Sequence, residues 1–284
     1  MTFINPSSIA KYIPSKQFQE YVPDWIVGGL LLAFFFLVAE HALPFQRQFS
    51  LDDLTISHPF AVHERVTGIQ CILLASLIPF FTIIIVMLVR YRNGAFTSQY
   101  QALHYLQVSI LGLLISLSLN GVITDILKVW IARPRPDFLE RCGPKPGTPM
   151  HTLVDISVCT GPLGESVLID GLRSTPSGHS SISFSGLLYL TLWLLGQFKL
   201  LQPRSSSRYI YNYLIVFSPL LLATYVALSR TQDYRHHFAD IILGSFLGIT
   251  FAWWSYHHYF NTLVSEDSDK PILDEGSTEL LLPR

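Results

Sequence analysis

The sequence predicts an all-α, polytopic membrane protein with six transmembrane helices. Two observations carry that fold class. Only 14% of the 284 residues are charged and 50% are hydrophobic, whereas charged residues make up about 25% of an ordinary soluble domain. Mean hydropathy is +0.38, and the apolar residues gather into six stretches long enough to cross a bilayer, which takes about 20 residues of helix. The same figures exclude other classes. A chain this apolar is not disordered. Nineteen basic against twenty acidic residues leave no basic excess for nucleic acid. Three cysteines are too few for a disulfide scaffold.

In order, the spans are residues 25–43, 66–89, 105–124, 180–198, 209–229 and 241–264. Glu40 and His41 fall near the end of the first, Lys199 closes the fourth, and Arg208 and Arg230 flank the fifth. The first span is read as retained rather than as a cleavable signal, because no basic stretch leads into it and no small-residue cleavage site follows. Each span must be helix. A lone strand cannot satisfy its backbone in lipid, and a barrel strand would alternate polar and apolar residues. Pro79 predicts a kink in the second span. Trp253, Trp254, Tyr256 and Tyr259 predict an interfacial aromatic belt on the sixth. Residues 1–24 form a cytosolic N-terminal segment, residues 25–264 the six-span domain, and residues 265–284 a cytosolic, acidic, flexible tail carrying Glu266, Asp267, Asp269, Asp274 and Glu275.

Orientation follows from the short loops. Arg90 and Arg92 follow the second span, and Lys199, Arg204 and Arg208 follow the fourth, with no acidic residue in either loop. The positive-inside rule puts both loops, and hence both termini, in the cytosol. The loops after the first, third and fifth spans then face the lumen or the exterior.

Three segments hold ionisable residues that a membrane span does not require. They are the stretch from Lys128 through Arg133, Pro134, Arg135 and Pro136; Pro176-Ser177-Gly178-His179; and the stretch from Ser229 and Arg230 through His236, His237 and Asp240. All three fall on the non-cytosolic side of a topology drawn without them. Taken singly, a Lys or Arg at a helix end is ordinarily a snorkelling anchor, a lone interfacial His a satisfied polar group, and Asp240 a helix-start charge. Together they predict an anion site. Lys128, Arg135 and Arg230 supply positive charge, and an arginine fork grips two phosphate oxygens at once. Ser177 and Gly178 stand where a helix starts, so free N–H groups there would face an anion. His236 and Asp240 are four apart, on one helical face, so that Asp240 accepts an imidazole N–H and leaves the other nitrogen as a nucleophile. His179 is then the general acid. No carboxylate cluster points to a metal. His41, His104, His151, His257 and His258 lack such company and are read as ordinary polar groups. Gln70 and the buried serines of the third and fourth spans are read as helix-packing groups.

These segments resemble, in order, the three signature motifs of the type 2 phosphatidic acid phosphatase superfamily: Lys-x6-Arg-Pro, Pro-Ser-Gly-His and Ser-Arg-x5-His-x3-Asp. Lys128, Arg135 and Pro136 match the first, Pro176 to His179 the second, and Ser229, Arg230, His236 and Asp240 the third. The resemblance covers roughly residues 25 to 262, and stretches such as Pro44-Phe-Gln-Arg-Gln-Phe49 and Arg135-Pro-Asp-Phe-Leu-Glu-Arg-Cys142 look like its fungal diacylglycerol pyrophosphate phosphatase branch. It implies a helical core of that type and an integral membrane phosphatase of diacylglycerol pyrophosphate, phosphatidate and lysophosphatidate. It implies His236 as nucleophile, Asp240 as its support and His179 as acid and then base, with Lys128, Arg135, Ser177, Gly178 and Arg230 on the phosphate. It implies no cofactor, no Mg2+ requirement, and a vacuolar or other endomembrane location. Spacing alone does not separate His236 from His237; the register of the resemblance selects His236. The runner-up is a phosphatase of isoprenoid or sphingoid phosphates, and from another class a transporter or a silent scaffold. Oligomeric state is left open.

Cys142 and Cys159 both lie in the loop after the third span, outside the cytosol, where disulfides persist. The expectation is a bridge between them, with two free thiols as the alternative. Cys71, inside the second span, is expected to be a packing residue.

Overall fold

The computed structural model describes residues 6–202 and 209–272. Arg204 and Arg208 of the basic loop, and Asp274 and Glu275 of the tail, lie outside them. The helices are α1 (Pro6–Tyr12), α2 (Lys16–Gln19), α3 (Val22–Phe34), α4 (Gly68–Arg92), α5 (Gln99–Ile131), α6 (Phe138–Cys142), α7 (Glu165–Asp170), α8 (Gly178–Phe198), α9 (Ile210–Gln232) and α10 (Phe238–Tyr259). Six of the helical segments are long and apolar enough to span a membrane, in the expected order. The protein is an all-helical membrane bundle; among the described residues β-structure is limited to isolated bridges.

Boundaries shift where paired charges let a helix continue. The third span reaches 33 residues, Gln99–Ile131, against the 20 expected apolar residues. It carries His104, Asp125 and Lys128, which interrupt the apolar run but find partners: His104 Nδ1 lies 3.1 Å from the Tyr12 hydroxyl and Lys128 Nζ 3.0 Å from Asp125. Lys128 therefore stands on α5 rather than beyond it. The first span leaves α3 through a π-helical turn, Phe35–Ala39. The sixth span ends at Tyr259. In the predicted belt, Trp253 and Trp254 are exposed, but Tyr256 and Tyr259 are buried. They lie on the helix face turned inward, and the Tyr259 hydroxyl donates to Asp24 at 2.8 Å. Gln70 serves a capping box: its N–H meets Thr67 Oγ1 at 3.2 Å and its side chain accepts from Thr67 N–H at 2.9 Å.

Helices α5 and α8 form the centre. In their most apolar windows 61% and 78% of residues are buried, against 33% or less in the other four spans, so those four face lipid. Small polar residues line the seams, as lipid-embedded packing favours. Ser116 and Ser185 hydroxyls meet at 2.8 Å, Ser255 donates to the Gly112 carbonyl at 2.6 Å, and Trp193 donates to Ser109 Oγ at 2.9 Å. Closest approach falls at glycines. A Cβ at Gly248 of α10 would sit 2.3 Å from the Ser181 carbonyl oxygen, and one at Gly186 of α8 would sit 2.0 Å from that of Ala75. Both obstacles are backbone and cannot rotate away. Gly186→Ala is accordingly expected to cost about 1–3 kcal/mol, the range for overpacking, read as a lower unfolding temperature of the detergent-solubilised protein. An unchanged temperature would contradict this packing.

A cap covers one end of the bundle. It is built from the segment after α3 and the segment between α5 and α8, and its core is Phe49, Ile56, Phe138, Cys142, Val154, Leu168 and Leu172. Phe49 and Val154 exchange two backbone hydrogen bonds at 3.0 and 2.9 Å. Cys142 and Cys159 are bridged as expected, and Cys71 is a buried free thiol. At the opposite end, residues 265–272 of the tail fold back onto the bundle. Asp269 pairs with Arg90 at 2.6 Å and Lys199 at 3.0 Å.

Candidate active site

The chain folds so that helix ends meet beneath the cap. The end of α5 brings Lys128, and the segment just past it Arg135. The start of α8 brings Ser177, Gly178 and His179, the last turn of α9 brings Arg230, and the link from α9 to α10 brings His236. A cavity of about 390 Å3 is lined by Lys128, Arg135, Gly178, His179, Arg230 and His236. Ser177 and Asp240 stand behind this lining. Ser177 caps α8, accepting from Ser180 N–H at 3.4 Å, and its own N–H donates to the Asp240 carbonyl at 3.0 Å. Gly178 makes room for Lys128: a Cβ there would lie 2.8 Å from Nζ.

Hydrogen bonds fix both imidazoles. His236 Nδ1 lies 2.7 Å from the Ser174 carbonyl. A carbonyl only accepts, so Nδ1 carries the hydrogen and Nε2 keeps its lone pair. Burial first, then the charges of Arg135 and Arg230, push the His236 pKa well below its ordinary value, so the ring is neutral at physiological pH. His179 Nε2 faces the Val66 carbonyl at 3.1 Å, which leaves Nδ1 for proton exchange. The expected His236–Asp240 hydrogen bond is not made; Nδ1 is 4.0 Å from Oδ2. Helix α10 begins at Phe238, so His236 precedes it rather than sharing its face with Asp240, and the nearby Ser174 carbonyl takes the proton instead. His237 is the residue that caps α10. Its Nδ1 is 3.1 Å from Asp240 Oδ2 and its Nε2 is 3.1 Å from the Thr55 carbonyl, so both its nitrogens face acceptors.

Sequence reasoning missed the acidic partners. Lys128 pairs with Asp125, Arg135 with Asp170 at 2.7 Å, and Arg230 with Glu64 at 2.8 Å. Burial alone would raise the Asp170 carboxyl, but Arg135 and Arg141 overcome it and hold the pKa at about 2. Each of the three cationic phosphate-binding candidates is thus held in place by a carboxylate that lines the cavity. The i, i+3 spacing of Asp125 and Lys128 was visible in the sequence; Glu64 and Asp170 lie far from their partners along the chain and gave no signal. The lining also holds apolar side chains, Phe35 and Phe36 from the π-helical turn, Ile69 and Ile72 from α4, and Ile182 from α8.

Cations around two imidazoles, at the mouth of a six-span bundle and beside apolar side chains, define a membrane-embedded centre for phosphoryl chemistry. The model of the PAP2 superfamily matches residues 109–263. The chain is 42% identical to diacylglycerol pyrophosphate phosphatase 1 of Saccharomyces cerevisiae, across 84% of this chain and 79% of that one. It is 37% identical to the probable diacylglycerol pyrophosphate phosphatase 1 of Schizosaccharomyces pombe, across 96% and 94%, and 34% identical to lipid phosphate phosphatase 2 of Arabidopsis thaliana, across 84% and 77%. The chain belongs to the PAP2 superfamily. No solved structure matches it.

Proposed function

We propose that the protein is an integral membrane lipid phosphate phosphatase acting on diacylglycerol pyrophosphate, phosphatidate and lysophosphatidate. The observation that carries this reading is the single cavity in which Lys128, Arg135 and Arg230 surround His179 and His236 beside apolar side chains. The cations fit a phosphate and the apolar side chains fit acyl chains. The names of the fungal and plant relatives support the substrate class.

In the proposed reaction the Nε2 lone pair of His236 attacks phosphorus, and the bond from phosphorus to the leaving oxygen breaks. Protonated His179 gives its proton to that oxygen. Water then attacks the phosphorus of the phosphohistidine while His179 takes its proton, the bond from phosphorus to Nε2 breaks with its electron pair returning to His236, and inorganic phosphate leaves. Lys128, Arg135, Arg230 and the Gly178 N–H at the start of α8 hold the phosphoryl oxygens through both steps, while Ser177 caps that helix and keeps its own N–H on the Asp240 carbonyl. The site is proposed to face the lumen or exterior. Two observations support that side: the Cys142–Cys159 bridge lies in the cap over the cavity, and Arg90, Arg92 and Lys199 stand at the far ends of α4 and α8. A vacuolar or other endomembrane location follows the fungal likeness.

The deciding test is phosphate release from a panel of lipid phosphates by purified protein in EDTA. Of the four carboxylates that line the cavity, Glu40, Glu64, Asp125 and Asp170, the last three are committed to cations, so activity is expected to persist without divalent metal. Complete loss that Mg2+ restores would contradict the reading.

A further inference from the structure

We propose that Arg133 is a positioning residue for the nucleophile, acting through Asp240 and the Ser174–Thr175 turn. The proposal rests on the reading of His236 as the attacking group.

Asp240 is fully buried, and its donors come from three segments. Arg133 Nη1 reaches Oδ1 at 3.0 Å, and the Thr175 hydroxyl donates to the same oxygen. Ser174 Oγ reaches Oδ2 at 2.6 Å, and the His237 N–H reaches it at 2.9 Å. His236 is not in that set. Its Nδ1–H goes to the Ser174 carbonyl. The Ser174 residue is therefore held on three sides: its N–H by the Arg133 carbonyl at 3.1 Å, its hydroxyl by Asp240, and its carbonyl by the nucleophile.

Arg133 touches this arrangement twice, through its backbone carbonyl and through its guanidinium. Among the described residues it is the one Lys or Arg within ion-pair distance of Asp240. A buried carboxylate without a counter-charge is costly, and an Asp240 that moved would release the turn whose carbonyl orients His236. Arg133 is not among the residues that line the cavity, and its guanidinium is committed to Asp240. The sequence Arg133-Pro-Arg135-Pro divides two tasks: Arg135 faces Asp170 and the cavity, and Arg133 secures the support of the nucleophile.

The charge has a predictable sign. Arg135, Arg230 and Lys128 act on His236 as cations beside the second imidazole, His179, and Asp240 stands 4.0 Å away as the anion. Arg133 offsets part of that anion. Removing its charge raises the proton affinity of His236, and the acid limb of kcat/KM moves to higher pH.

The test is rapid-quench labelling with 32P-phosphatidate in mixed micelles, alongside steady-state kinetics. R133M is expected to form phosphoenzyme about tenfold more slowly or worse, the scale of one charge-assisted hydrogen bond. KM should change little, the acid limb should rise, and R133K should recover most of the rate. S174A is expected to be slow and S174T to recover, so this pair decides the matter if R133M does not fold. Wild-type labelling in R133M and S174A overturns the proposal, as does a loss confined to KM, or R133K and S174T being as slow as R133M and S174A. Labelling that survives H236A overturns the nucleophile reading and this proposal with it. Labelling lost in H236A but intact in R133M overturns this proposal alone.

Discussion

His236→Ala is expected to abolish lipid phosphate hydrolysis and the trapping of phosphohistidine, by about four orders of magnitude or more, the range for removing a nucleophile from an enzyme. His237→Ala is expected to keep trapping while losing stability. The two histidines are neighbours in sequence, and their surroundings separate them. His236 keeps Nε2 toward the cavity because Nδ1 is committed to the Ser174 carbonyl. His237 has both nitrogens against acceptors, on Asp240 and Thr55, and it caps α10. Losing the side-chain hydrogen bonds to Asp240 and Thr55 costs about 0.5–1.5 kcal/mol each, which shows as a lower unfolding temperature with the phosphoenzyme still formed. An exchange of these phenotypes between the two variants would place the nucleophile at His237.

Breaking the Cys142–Cys159 bridge is expected to destabilise the cap and weaken phosphate binding together. The bridge closes a loop of 17 residues, worth about 3 kcal/mol on chain-entropy grounds. It also adjoins the arginine that aligns the site. Arg141, next to Cys142 and almost fully buried, grips Asp137 through two bonds of 2.9 Å and Asp170 through another at 2.9 Å. Asp170 in turn holds Arg135 at 2.7 Å. Loosening the bridge therefore loosens Arg135 through Arg141 and Asp170. Reductant, or the Cys142→Ala/Cys159→Ala double variant, should lower the unfolding temperature and raise KM for phosphatidate, and reductant should add nothing to the double variant. Thermal scans in detergent with parallel kinetics check this. A reduced protein with unchanged unfolding temperature and KM would show that the bridge supports neither.

The architecture was legible because lipid allows so few solutions. A span with few charges must satisfy its own backbone, so six apolar stretches became six helical spans in the expected order. Misplaced boundaries fell where charges had partners. Asp125 and Lys128 end the apolar run of the third span, yet they pair with each other and α5 continues to Ile131. The tail was read as flexible from its acidic composition, and residues 265–272 are instead held by Arg90 and Lys199 through Asp269. An ion pair between residues 179 positions apart leaves no local pattern to read.

The sequence by itself determined the candidate site residues, since motif spacing and side-chain type, with the register of the family resemblance for His236, name Lys128, Arg135, His179, Arg230, His236 and Asp240 without a fold. Only the tertiary structure decided how they are wired. Asp240 was expected to face His236 across a helical turn, but α10 starts two residues too late for that, at Phe238. The carboxylate instead holds Ser174, Thr175, Arg133 and His237, and the Ser174 carbonyl holds His236. The acidic partners Glu64 and Asp170 entered the same way, through contacts 166 and 35 residues away in the chain. Side-chain type and local spacing are properties of a sequence. Hydrogen-bond partners between distant segments depend on where each helix starts and stops, and packing settles that last.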